Sequence, residues 1–189
     1  LAAGEPVTLD HVDQFVDGAA VNRAGNLTYA ALAAAGDMVS ITTVDEGAVC
    51  TAMLDLYQNE GIIAEPAGAL SVAALMEADI EPGSTVVCLI SGGNNDVSRY
   101  GEVLERSLVH LGLKHYFLVD FPQEPGALRR FLDTVLGPND DITLFEYVKR
   151  NNRETGPALV GIELGSADGI DALLGRMKAS PMRIEQIDP

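Results

Sequence analysis

Val87-Cys-Leu-Ile-Ser-Gly-Gly-Asn-Asn95 decides how the first part of this chain is read. Residues 84–90 are strongly hydrophobic, the pattern of a strand covered on both faces, and the serine and glycines after Ile90 close it. Working outward, Val97 to Gly112 is an amphipathic helix carrying Tyr100, Val103, Leu104 and Leu108 on one side. Upstream, Gly68–Glu77 is a very apolar helix preceded by a brief strand at Ile62–Ala64. Asp45 caps a helix running through Gln58, with Val49, Met53, Leu56 and Tyr57 at helical spacing. Met38–Val44 is a buried strand and Asn26–Ala35 a helix stopped by Gly36. Residues 8–17 read as a short helix with Thr8 as N-cap, stopped by Gly18, and 19–21 as a short extended piece. Strand and helix alternate throughout, which predicts part of a parallel α/β sheet.

After Leu111-Gly-Leu-Lys114 the order of elements changes. His115–Phe121 is a strand, and Pro122-Gln-Glu-Pro-Gly126 a turn. The helix that follows carries Leu128, Phe131, Leu132, Val135 and Leu136 in the i, i+3, i+4, i+7, i+8 pattern. Ile142–Lys149 is a strand, Arg150–Pro157 a polar hairpin loop, and Ala158–Leu164 a second strand. Asp168 opens a helix with Ile170, Leu173, Leu174 and Met177 on one face, and Arg183–Ile187 is the last strand. The order βαββαβ predicts a ferredoxin-like α+β unit. Two domains are expected, residues 1–112 and 114–189.

Composition narrows the function classes. With 28 acidic and 12 basic side chains in 189 residues the formal net charge is −16, a surface that repels phosphate backbones and argues against nucleic-acid binding. No apolar run approaches the ~18 residues that cross a bilayer, so no membrane partner is expected. Cys50 and Cys88 lie in apolar surroundings without metal-ligand spacing, the usage of free thiols in a reducing compartment, which points to the cytoplasm. His11, His110 and His115 make no catalytic or zinc pattern. The chain opens Leu-Ala-Ala-Gly-Glu-Pro, without Met or a basic n-region, as expected of a piece of something longer.

Three stretches of the first part and one of the second suggest chemistry. A strand ending in Ser91-Gly92-Gly93 at the carboxyl edge of a parallel sheet lies where α/β proteins bind ligands. The same residues also suit a plain strand-to-helix turn with a capping serine. In Glu65-Pro-Ala-Gly-Ala69 the proline holds Glu65 extended, and the small residues let a helix approach the sheet or a ligand. Glu65 is either an acid beside a ligand or a carboxylate complementing a helix dipole. Phe15-Val-Asp-Gly-Ala-Ala-Val21 means little alone and gains weight only from its place ahead of the other two. In the second part, Pro125-Gly126 opens a helix whose free N–H groups favour a carboxylate. Phe121 and Leu128 offer an apolar wall there, and Tyr147 a polar-tipped lid or a packing residue at an interface.

Ile62-Ile-Ala-Glu-Pro-Ala-Gly-Ala-Leu70 followed by residues 87–95 resembles the pyridoxal-phosphate enzymes of fold type II. Phe117-Leu-Val-Asp-Phe-Pro-Gln-Glu-Pro-Gly-Ala-Leu128, Leu144-Phe-Glu-Tyr-Val-Lys149 and residues 154–164 resemble the ACT-like regulatory domains fused to biosynthetic threonine dehydratases. The resemblance runs over nearly the whole chain, with its parts in the family's order, and marks this as the C-terminal portion of such an enzyme. It implies the deamination of threonine to 2-oxobutanoate and ammonia in isoleucine synthesis, with pyridoxal 5′-phosphate as cofactor. Isoleucine inhibits, valine opposes that inhibition, and the enzyme assembles as a tetramer.

By the same resemblance Ser91 hydrogen-bonds the pyridine nitrogen, while Gly92, Glu65 and Gly18 border the cofactor. Tyr147, with Phe121, Pro125, Gly126 and Leu128, contacts the effector. The family holds its cofactor as a Schiff base on a lysine, yet the only lysines here are Lys114, Lys149 and Lys178. The lysine, the glycine-rich phosphate loop and any metal site are therefore expected upstream of Leu1, so no catalytic residue and no metal are assigned. A related serine dehydratase or racemase, and a non-catalytic amino-acid-binding module, are the alternatives. The purified chain supplied with threonine and pyridoxal phosphate is expected to release no 2-oxobutanoate above a protein-free control, and turnover in that assay would overturn the reading.

Overall fold

The computed structural model describes residues 1–147 and 154–187. The chain divides into two compact units, residues 1–107 and 108–189.

The second unit is built on β1 (Lys114–Pro122), α5 (Ala127–Val135), β2 (Asp141–Tyr147), β3 (Thr155–Glu163), α6 (Ile170–Ala179) and β4 (Arg183–Ile187). Its four strands lie in the order β2-β3-β1-β4, every neighbouring pair antiparallel, which is the split βαβ arrangement expected of βαββαβ. Alternation along the strands turns Phe117, Val119 and Phe121 of β1, and Ala158, Val160 and Ile162 of β3, to one face. Those residues pack with Phe131 and Val135 of α5 and with Leu173 and Met177 of α6 into one buried cluster.

Local irregularities set the details. The β2–β3 register shifts between Ile142 and Leu144, so that Ile142, Phe145 and Tyr147 all pack against the same core. Gly126 takes φ 85°, a left-handed conformation suited to glycine, and α5 starts immediately after it. Arg176 of α6 donates from Nε to Val135 O (2.6 Å) and from Nη2 to Asp140 Oδ2 (2.7 Å), and Asp140 also accepts from Gly137 N (2.6 Å). One guanidinium thus ties α6 to the end of α5 and to the approach of β2.

Two boundaries of this unit differ from the sequence reading by more than one residue. Thr155, Gly156 and Pro157 belong to β3, paired with Pro122, Phe121 and Asp120, rather than to a loop. A 3-10 turn at Ala167–Gly169 precedes α6, so the α-helix opens at Ile170 and not at Asp168. The end of the strand expected through Lys149, and residues 150–153 of the expected hairpin loop, lie outside the described residues.

The first unit contains α1 (Asn26–Ala35), α2 (Glu46–Glu60) and α3 (Pro66–Glu77), and α4 (Tyr100–His110) begins within it. Asp45 caps α2, accepting from Gly47 N (2.8 Å) and Ala48 N (3.3 Å). Gly61 ends the helix in the left-handed conformation. Val49, Ala52 and Met53 of α2 pack on Ala69 and Ala73 of α3, where alanines permit close approach, with Val103 of α4 and Phe15 completing the core. Burial among these residues pushes the Cys50 thiol up to about 12. Among the described residues no helix is long and apolar enough to cross a membrane.

The parallel strands expected here are not formed. Before Lys114 the described residues hold no ladder beyond an isolated bridge between Thr8 and Arg23, so 38–44, 62–64 and 84–90 carry strand composition without strand pairing. Val87 and Leu89 are 88% and 75% exposed. Composition marks residues able to lie in a sheet, but a parallel strand exists only beside neighbours that reach it through crossovers. Residues 8–16 are not helical either, and a 3-10 turn begins at Asp17 and runs through Ala19. Residues 97–99 are likewise a 3-10 turn ahead of α4. The last turn of α4 groups with the second unit, where Leu113 N donates to Leu108 O (2.9 Å) and Leu164 N to Leu113 O (2.7 Å).

Phe131→Ala is expected to destabilise the second unit by about 3–5 kcal/mol, the cost of emptying a fully buried aromatic site. Leu128→Ala, on the exposed side of the same helix, is expected to cost under about 1 kcal/mol. Urea unfolding followed by circular dichroism checks both, and equal effects would contradict this packing.

Candidate functional site

Three distant stretches converge in the first unit. Glu65 N donates to Gly92 O (3.1 Å), and the Glu65 carboxylate accepts from Asn94 N (3.3 Å). Asn95 Nδ2 donates to Ala64 O (3.3 Å), so the residues before α3 and the turn after Ile90 are stitched side by side. Ser71 Oγ of α3 donates to Leu89 O (2.9 Å), holding 84–90 along that helix.

The approach is close enough to need glycine. A Cβ on Gly68 would sit 3.0 Å from Gly92 N and nearer still to Gly92 O, and one on Gly92 would strike the Glu65 carboxylate. A Cβ on Gly18 would lie 3.1 Å from Ala67 Cβ and 3.4 Å from Glu65 Oε1. Gly18, Glu65 and Gly92 are thus brought together, with Ser91 exposed beside them.

The Gly18 segment is anchored by residues that sequence reasoning missed. Arg99 Nη2 donates to Phe15 O (2.9 Å), and its guanidinium stands 5.0 Å from the Phe15 ring centroid. Arg106 covers the same ring at 4.3 Å and pairs with Glu46 (2.5 Å) and Glu102 (3.0 Å). Burial, followed by the Asp13 charge, holds the Glu46 carboxyl above its ordinary value. Arg99 and Arg106 belong to a helix face that reads as ordinary solvated charge, so no signal in the sequence marked them.

In the second unit Phe121, Gly126, Leu128 and Tyr147 line one cavity of about 590 Å³. Pro125 does not line it; the chain turns at Gly126, and Pro125 points to solvent instead. Phe121 is the floor, 2% exposed, with Tyr147 and Phe145 edge-on to it at 5.7 and 5.8 Å between centroids. Leu132, Phe145 and Gln123 are lining residues not singled out in the sequence. Two of them carried a signal: Leu132 is one helical turn from Leu128, and Phe145 is two strand positions from Tyr147. The rim is charged, with Glu124, Arg129 and Asp133, and Glu124 is paired with Arg130.

Comparison with known proteins matches the two parts of the chain to two different families. Residues 1–92 match the family of pyridoxal-phosphate dependent enzymes, and residues 105–189 match the C-terminal regulatory domain of threonine dehydratase. The chain is similar to threonine dehydratases over its whole length. Over all 189 residues it is 89% identical to the biosynthetic L-threonine dehydratase IlvA of Mycobacterium tuberculosis and 85% identical to that of Mycobacterium leprae, covering 44% of each. The Bacillus subtilis enzyme is 54% identical over 187 residues, 98% of this chain and 44% of that protein. The chain therefore spans less than half the length of the curated family members it matches.

The glycine contacts give a graded expectation. Gly68→Ala meets backbone, which cannot swing aside, and is expected to destabilise the first unit by about 1–3 kcal/mol. Gly92→Ala meets only the end of the Glu65 side chain and is expected to cost under about 1 kcal/mol. Urea titration of the two variants measures the difference, and the reverse order would count against the Glu65–Gly92 juxtaposition.

Proposed function

We propose that this chain forms the cofactor edge and the effector-binding domain of a biosynthetic threonine dehydratase, which converts threonine to 2-oxobutanoate and ammonia. Residues 1–112 are then the later part of the catalytic domain and 114–189 the ACT-like regulatory domain. The observation that carries the proposal is the cavity in which Phe121, Gly126, Leu128 and Tyr147 meet at the start of a helix. Its volume lies within the range of small-ligand sites. At the start of α5 Ala127 N donates to Glu124 O (3.4 Å) and Arg130 N to Gly126 O (3.0 Å), while the N–H groups of Leu128 and Arg129 between them have no intrahelical acceptor, which suits a carboxylate. Phe121, Leu128 and Leu132 suit a branched aliphatic side chain, and Asp133 is an acid near enough to favour an ammonium group. Isoleucine and valine fit that chemistry.

The first unit fits one edge of pyridoxal phosphate. Gly68 lets α3 lie against the Gly92 backbone, Gly18 and Gly92 let their segments close on Ala67 and Glu65, and Ser91 offers an exposed hydroxyl beside them. When bound, that group supplies the electron sink for loss of the α-proton and of the β-hydroxyl. Ser91 is neutral, so its hydroxyl meets a ring nitrogen without placing a charge beside it. Glu65 fixes the turn that carries Ser91, through its backbone N–H to Gly92 and its carboxylate to Asn94. Effector binding in one domain biases the activity of the other within a cytoplasmic tetramer, a coupling between sites.

Calorimetric titration of the chain with L-isoleucine, against L-alanine, tests the regulatory half. Saturable heat is expected with isoleucine alone, weakened about tenfold by Leu128→Ala through lost apolar contact. Absence of heat from isoleucine, or an unchanged affinity in Leu128→Ala, would remove the support for an effector site here.

A further inference from the structure

Gly156 stands opposite Phe121 in the β1–β3 ladder, buried on the face that meets the helices. A Cβ built on it would lie 3.0 Å from Tyr147 Cε2, 3.5 Å from the Tyr147 hydroxyl and 3.2 Å from Gln123 Nε2. Both neighbours line the cavity, whereas Gly156 itself does not. The closest of these separations is well inside ordinary carbon–carbon contact, so a neighbour would have to move.

Neither neighbour is loose. The Tyr147 ring is edge-on to Phe121 at 5.7 Å and lies 6.3 Å from Phe145. Gln123 donates from Nε2 to Thr155 O (3.0 Å) and from its backbone N–H to Glu154 O (2.9 Å). Gly156 is not among the glycines with positive φ, so its backbone has no need of glycine. What the position requires is empty volume.

We infer that Gly156 is a specificity-determining residue of this cavity: its missing side chain lets the Tyr147 ring lie back on β3 and keeps the cavity wide enough for a branched four-carbon side chain. The inference rests on the reading of the cavity as an isoleucine site. A methyl group at 156 drives the Tyr147 ring and the Gln123 amide away from β3 and into the space that they line. Longer ligands then lose more than shorter ones, since one methylene in a tight apolar pocket is discriminated about tenfold or more. Gly161 supplies the control. It lies on the same strand but faces the other way, where a Cβ would meet Leu144 Cβ at 3.0 Å and Tyr116 Cε1 at 3.1 Å.

The test titrates the 189-residue chain and its variants G156A and G161A with L-isoleucine and L-valine by calorimetry. It also follows Tyr147 by 19F NMR of the 3-fluorotyrosine-labelled chain, the resonance being assigned through Y147F. G156A is expected to weaken isoleucine about tenfold and valine about threefold or less, and to shift the Tyr147 resonance. G161A is expected to leave both affinities within about twofold. An unchanged isoleucine-to-valine ratio in G156A, or a Tyr147 resonance at its parental position, would overturn the inference.

Y147L and G156A/Y147L close a cycle that does not depend on G156A folding well. With the ring gone, alanine at 156 should no longer alter the ratio, and an effect that persisted would also overturn the inference. If the parent chain takes no isoleucine, the effector reading fails by itself, and the Tyr147 resonance alone decides whether Gly156 sets the ring.

Discussion

The antiparallel ladder between β1 and β3 is the constraint on which the second unit depends. It pairs Lys114 with Glu163 at one end and Pro122 with Thr155 at the other, without a break in register. Because β1 and β3 are the central strands, their alternation fixes which side of the sheet is apolar, and both helices follow from that choice. The same register sets Gly156 against Phe121. Phe121, Tyr147 and Gly156 then form one packed corner, and the cavity opens beside it. A slip of one residue would turn Phe117, Val119 and Phe121 outward and abolish core and cavity together.

The first unit is held differently. Its helices have sound local reasons to exist, including the Asp45 cap, Pro66 at the start of α3 and Gly61 at the end of α2. What makes a site of it is non-local: the Glu65–Gly92 bond, the Asn95 amide on Ala64, and two arginines of the α4 region holding Phe15. None of these is strong alone, since a hydrogen bond nets about 1 kcal/mol. Their effect is geometric, bringing Gly18 and Gly92 each up against Glu65.

Much of this was legible in advance, and the exceptions follow a rule. The helices at 26–35 and 127–135 and the order βαββαβ were readable because caps, glycine stops and apolar periodicity act over a few residues. The segments 38–44, 62–64 and 84–90 read as strands yet stand unpaired among the described residues, because composition reports what they can join rather than what is beside them. Thr8–Asp17 failed as a helix for a related reason: its spacing was adequate, but Phe15 is drawn into the α2–α3 core and against Arg99 and Arg106. Pro125 was placed in the cavity by its neighbours in sequence, yet the left-handed turn at Gly126 sends it away.

What the sequence alone determined was the kind of protein: its resemblance to one family, the order βαββαβ in the second part, and the motif residues around Ser91 and Tyr147 as candidates. Tertiary structure decided which of those residues meet. Gln123, Phe145, Gly156 and Arg99 carry no motif, and each matters only for what lies across from it in space. The physical reason is range. Caps and turns are settled by backbone sterics over a few positions, whereas a cavity wall is settled by close packing between strands and helices far apart in the chain.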